Sequence, residues 1–182
     1  DREATLRQVI VIASNRGPVS WREGPDGLTS TRGGGGLVSA LAAQKLGADA
    51  HWVCAAMTSG DREAVRQGLS HDGVTMLAID QLTFERAYNG IANGLLWFTS
   101  HLLQPAPTFD AQDWQAFTDY SEAFARAIDA QAAQGATVLV QDYHLSLVPA
   151  LLRARRPDLR ISHFSHTPWA PPDYYRLLPK DI

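Results

Sequence analysis

Short apolar runs alternate with stretches of helical periodicity along most of the chain. Val9 to Ala13 is a β-branched run that predicts a buried strand, and Ser14-Asn15-Arg16-Gly17-Pro18 breaks it with turn-forming residues. Pro18–Trp21 and Leu28–Ser30 flank Glu23-Gly24-Pro25-Asp26-Gly27, whose turn chemistry predicts a surface hairpin. Leu37 to Leu46 reads as a helix that Gly47 ends. His51 to Ala56 predicts a second strand, a polar helix follows from Ser59 or Gly60 to about Gln67, and Val74 to Ile79 predicts a third strand.

From Gln81 to Leu103 the chain becomes aromatic, and the spacing of Tyr88, Ile91, Leu95, Leu96 and Phe98 predicts a core-facing helix stopped by Pro105-Ala106-Pro107. Asp110 to Gln131 carries a stripe of Trp114, Phe117, Tyr120, Phe124 and Ile128 at helical spacing, which reads as core. Thr137–Val140 and Leu159–Phe164 predict two more strands, with a helix from Leu147 to Arg155 between them. Strand and helix alternate in the manner of a parallel sheet with crossover helices, an α/β fold.

With 182 residues, 45% of them hydrophobic and 19% charged, the chain suits one globular domain spanning 1–182. Net charge is −3 and the arginines are scattered rather than striped, which argues against nucleic acid or an anionic membrane as the main partner. Cys54 is the only cysteine and sits in an apolar run, so a reducing compartment fits. The first residues lack the apolar core of a signal peptide and no run approaches a membrane span, which makes the cytoplasm the default expectation.

Candidate chemistry gathers where apolar strands end. Arg16, Asp142 and His166 each follow a predicted strand, so all three are expected on one edge of the sheet, where open α/β sheets bind ligands. Gly33-Gly34-Gly35-Gly36 precedes a predicted helix start, where bare backbone N–H groups and the helix dipole favour an anion. Arg16 offers a planar fork for a phosphate, Asp142 accepts from sugar hydroxyls, and Tyr88 and Trp97 offer faces on which a pyranose stacks. Together they suit a sugar phosphate. His163 and His166 lack the further ligands that a metal site needs, no Gly-x-Ser-x-Gly elbow is present, and the glycines do not spell a Gly-x-Gly-x-x-Gly dinucleotide fingerprint.

Ser14-Asn15-Arg16, Gly35-Gly36-Leu37, Tyr88-Asn89 with Asn93 and Leu96-Trp97, Asp142-Tyr143-His144-Leu145, and His166-Thr167-Pro168-Trp169 running to Leu178-Pro179 form an ordered set of motifs. In that order the set resembles the trehalose-6-phosphate synthase family of retaining, two-domain (GT-B) glucosyltransferases. The resemblance implies a Rossmann-like parallel sheet with helices on both faces, forming the amino-terminal, acceptor-side domain. Arg16 would bind the phosphate of glucose 6-phosphate, Tyr88, Trp97 and Asp142 would line the acceptor sugar, Gly35 and Gly36 would face the diphosphate of a UDP-glucose-type donor, and His166 would contact the transferred glucose. Asp142 and His166 are then the candidate catalytic groups. Nucleotide-glucose is a substrate, and neither a metal nor another cofactor is implied.

The resemblance also implies a carboxyl-terminal nucleotide-sugar domain beyond Ile182, without which the chain would at most bind the acceptor weakly and be inactive; a homo-oligomer is possible, and apolar surface exposed where that domain docks could drive artificial self-association. Two positions depart from the family pattern: Phe98 follows Trp97 in place of proline, and Ala55-Ala56 stands where a second tryptophan is usual. A different acceptor such as glycerol 3-phosphate, a cyclitol-joining relative, and a stand-alone sugar-phosphate-binding module therefore remain alternatives.

Overall fold

The five short apolar runs all become strands of one parallel sheet in the computed structural model, which describes residues 10–34, 50–103, 108–180 and 182. They are β1 (Ile10–Ser14), β4 (Ala50–Ala55), β5 (Val74–Leu77), β6 (Thr137–Gln141) and β7 (Arg160–Phe164). The spatial order is β5-β4-β1-β6-β7, so β1 lies at the centre with β4 on one side and β6 on the other. Alternation along β1 divides the apolar side chains between two faces. Val11 and Ala13 join Val53, Val138, Val140, Phe117, Phe124 and Ile128 in the main core, while Ile12 packs with Trp52 and Cys54 in a smaller cluster on the other side.

The expected hairpin forms from β2 (Val19–Gly24) and β3 (Gly27–Arg32), which pair antiparallel around Pro25-Asp26. After β4 comes α1 (Ser59–Arg66), capped by Thr58 and Asp61 in reciprocal hydrogen bonds. α4 (Ala111–Gln131), started by the Asp110 carboxylate, lays the predicted stripe of Phe117, Tyr120, Phe124 and Ile128 into the core, with Trp114 partly buried beside it. α5 (Val148–Arg155) packs on α4 and β7, and α6 (Pro172–Tyr175) lies near the end of the chain. The expected helix over 37–46 and the glycines Gly35 and Gly36 lie outside the described residues.

The aromatic stretch is helical throughout, yet not as a plain α-helix. α2 (Gln81–Glu85) runs into a π-helical segment (Arg86–Leu96) and then α3 (Trp97–Ser100). The Trp97 N–H bonds to the Ala92 carbonyl, five residues back, as a π-helix requires. Gly94 makes this wide turn possible: a Cβ there would stand 2.5 Å from the Asn89 carbonyl oxygen. Among the described residues no helix is long and apolar enough to cross a membrane.

Candidate functional site

β1, β6 and β7 are consecutive neighbours and run parallel, so their carboxyl ends open on the same edge. β1 is where the strand order changes direction, the switch point at which such sheets form their ligand crevice. Arg16 follows β1, Asp142 directly follows β6, and His166 follows β7.

The loop after β1 is pinned by buried groups while the Arg16 side chain stays exposed. Ser14 Oγ donates to the Arg16 carbonyl at 2.6 Å and accepts from Trp52 Nε1–H at 2.7 Å. Asn15 is buried; its side chain accepts from the Tyr120 hydroxyl, and its carbonyl accepts from the Ala55 N–H at 3.1 Å. Burial holds the Tyr120 hydroxyl well above its usual titration range, so it stays a proton donor. Gly17 brings the loop against β4: a Cβ at this position would lie 2.3 Å from Cys54 Sγ. Burial likewise pushes the Cys54 thiol up to about 12, aided by the charge of Asp61, which leaves it an inert packing group.

Arg16 opens onto a cavity of about 420 Å³ lying between the hairpin, the loop after β4 and the start of α1. Arg22, Arg32, Gly33 and Gly34 line it as well. Its floor is held by Asp61, only 2% exposed, whose carboxylate accepts from Ser20 Oγ at 3.0 Å and from the N–H groups of Trp21, Met57 and Thr58 at 2.6, 3.1 and 3.0 Å. Three arginine side chains face two carboxylates, Glu23 and Asp61, around the hollow, a balance of one positive charge that favours an anion.

Asp142 stands at the head of the short 3-10 turn Tyr143–Leu145, with φ +71°. Oδ1 accepts from the N–H groups of Tyr143 (2.9 Å) and His166 (3.3 Å), while Oδ2 faces His144 Nδ1 at 3.6 Å. The backbone is tied down too: the Asp142 N–H bonds to the Phe164 carbonyl at 2.7 Å, and the Asp142 carbonyl meets His163 Nε2 at 3.0 Å. Burial pushes this carboxyl upward, but the His144 imidazole and the two N–H groups outweigh it and hold Asp142 below the ordinary carboxylate value. It is therefore an ionised acceptor at neutral pH. His166 is exposed, with Nε2 3.2 Å from Gln141 Oε1.

Asp142, His166 and Tyr88 thus gather around one turn, with Arg16 on the neighbouring loop. Tyr88 packs within an aromatic group that the sequence did not foreshadow. Its ring stacks with Phe84 (centroids 5.4 Å apart, 11° between planes) and with His144 (5.3 Å, 19°). Trp97 is half-buried, packed on His101 at 4.4 Å and edge-on to Phe98 at 5.2 Å, rather than against Asp142 or His166. Gln141, Asn15 and Tyr120 were not singled out as site residues by sequence reasoning, although a polar side chain closing an apolar strand, as Gln141 does, was a usable signal. Among the described residues no three His, Cys, Asp or Glu side chains cluster as a metal would need.

Comparison with known proteins places these residues in a family context. The sequence model of "Glycosyltransferase family 20" matches residues 8–181. Trehalose-6-phosphate synthase of Mycolicibacterium gilvum is 35% identical over 176 residues, covering 93% of this chain and 35% of that protein. The enzyme of the same description from Mycobacterium sp. (strain JLS) is 37% identical over 176 residues, with 93% and 35% covered. The chain thus spans about a third of the length of these curated relatives. Among solved structures, the amino-terminal domain of Candida albicans trehalose-6-phosphate phosphatase superposes with a TM-score of 0.74 at 21% identity, covering 94% of this chain and 36% of that one. An E. coli structure described as bound with UDP-2-fluoro glucose superposes at 0.70 and 20% identity, over 93% and 35%. At that identity the superpositions establish the fold, while the sequence matches establish descent: the chain belongs to glycosyltransferase family 20.

Proposed function

We propose that this chain is the acceptor-binding, amino-terminal part of a retaining glucosyltransferase that moves glucose from a nucleotide-glucose donor to glucose 6-phosphate, giving α,α-trehalose 6-phosphate. The observation that carries the reading is that Arg16 and Asp142 follow the adjacent parallel strands β1 and β6 at the switch-point edge: an exposed guanidinium on a backbone-pinned loop, and an ionised, backbone-anchored carboxylate on the next loop. A sugar phosphate presents the complementary pair, a phosphate for the fork of Arg16 and hydroxyls for Asp142. His166, held by Gln141, would face the transferred glucose, and Gly35 and Gly36 the donor diphosphate. Donors fixed in place against the charge that develops on the leaving diphosphate supply stabilisation without a protein nucleophile.

In this reading a second domain, carboxyl-terminal to Ile182, binds the nucleotide, the enzyme works in the cytoplasm, and the named substrates are its small-molecule partners. The test is glucosyl transfer by the full-length gene product supplied with UDP-glucose and either glucose 6-phosphate or glycerol 3-phosphate. Transfer that depends on glucose 6-phosphate and yields the α,α-linked disaccharide phosphate is the expected result. Transfer to glycerol 3-phosphate alone, or hydrolysis without an acceptor, would overturn it.

A further inference from the structure

His144 is buried, 9% exposed, and neither of its ring nitrogens has a hydrogen-bond partner. An imidazole closed off from water without partners is costly unless it has a task. Its ring stacks with Tyr88 (centroids 5.3 Å apart, 19°) and with Tyr143 (4.1 Å, 29°), which together set its orientation. The clamp itself is fixed at both ends. Tyr88 is backed by Phe84, and the Tyr143 hydroxyl donates to Asn93 Oδ1 at 2.7 Å, inside the π-helical segment. In that orientation Nδ1 points at Asp142 Oδ2 from 3.6 Å, just beyond hydrogen-bond length.

The other oxygen, Oδ1, already accepts from two backbone N–H groups. Asp142 Oδ2 is thus left for a ligand hydroxyl, and His144 is the group facing it.

We propose that His144 is a positioning residue for Asp142: held by the Tyr88–Tyr143 clamp, its Nδ1–H anchors Oδ2 so that the carboxylate stays ionised and its remaining lone pair points toward an acceptor hydroxyl. This rests on the reading of Asp142 as an acceptor-sugar contact. It also gives the π-helical segment a purpose, because that segment supplies both Tyr88 and Asn93 to the clamp. The direction in which the Asp142 carboxyl titrates agrees, since His144 is foremost among the groups that lower it. Among the described residues, the titratable groups around the pair are Tyr88 from the π-helical segment, Tyr143 from the 3-10 turn, and His163 and His166 from β7 and the loop after it.

Two substitutions separate anchoring from packing. His144→Phe keeps a ring between the tyrosines and removes the donor, whereas His144→Asn loses the ring and keeps an N–H donor near the Nδ1 position. The readout is the titration of the Asp142 carboxyl in the full-length gene product, followed by 13C-labelled aspartate with the resonance assigned through Asp142→Asn. The expected result is an upward shift of about one pH unit or more in His144→Phe, with His144→Asn close to wild type and glucose 6-phosphate affinity following the same order. Asp142 titrating in His144→Phe as it does in wild type would overturn the proposal, as would an upward shift confined to His144→Asn. An upward shift in His144→Phe in a protein that binds no glucose 6-phosphate would support the anchoring and overturn the acceptor reading instead.

Discussion

Asp142 adopts φ +71° and ψ 164°, a combination that residues other than glycine rarely occupy and that costs about 1–3 kcal/mol. The strain is held in place by hydrogen bonds from both sides of the residue, and it aims the carboxylate out of the end of β6. Comparing Asp142→Ala with Asp142→Gly isolates it, because both remove the carboxylate and only glycine relaxes the backbone. The glycine variant should be more stable than the alanine variant by about 1–3 kcal/mol in urea unfolding, and neither should bind a sugar phosphate. Equal stabilities would mean that the conformation is unstrained. The position of Asp142 was readable in the sequence, as a charged residue ending an apolar run. Its partners were less so: Tyr120 reaches Asn15 across 105 positions, and nothing local in the chain announces such a pairing. For the same reason the sequence did not show that Phe84 and His144 stack with the Tyr88 ring.

Among the elements, the hairpin and α1 are joined through one carboxylate. Asp61 closes the capping box with Thr58 and reaches across to Ser20 and Trp21 of β2, which fixes the hairpin over the loop after β4 and shapes the arginine-lined cavity. Close contact supports the joint, since a Cβ on Gly60 would stand 2.4 Å from the Trp21 carbonyl oxygen. Asp61→Ala leaves the part-buried N–H groups of Trp21, Met57 and Thr58 and the Ser20 hydroxyl short of an acceptor and should cost about 1–3 kcal/mol in chemical denaturation. A loss below about 0.5 kcal/mol, the level of ordinary surface changes, would show the hairpin to be held by other contacts. The hairpin was legible from its turn residues, and the start of α1 only to within a residue or two, because Thr58 with Asp61 caps it rather than Ser59 or Gly60. The π-helical character of Arg86–Leu96 was not, because apolar spacing fits a tight and a wide helical turn about equally well. The strand predicted to reach Ile79 stops at Leu77.

For the molecule as a whole, what matters is the order in which the strands assemble. Alternating apolar runs and helices made a parallel sheet readable, but the sequence of neighbours, β5-β4-β1-β6-β7, is set by three-dimensional packing. That order puts the loops after β1, β6 and β7 side by side and turns three separate polar positions into one edge. Arg16 is exposed on a loop whose backbone bonds do not involve its guanidinium, so its removal should leave the fold intact. The central claim is that this edge receives glucose 6-phosphate with its phosphate on Arg16. The most direct test is calorimetric titration of the protein and its Arg16→Ala variant with glucose 6-phosphate and glycerol 3-phosphate. The account predicts selective binding of glucose 6-phosphate that weakens by about 10–100-fold in Arg16→Ala at unchanged thermal stability. Equal affinity in wild type and variant, or no preference between the two phosphates, would contradict it.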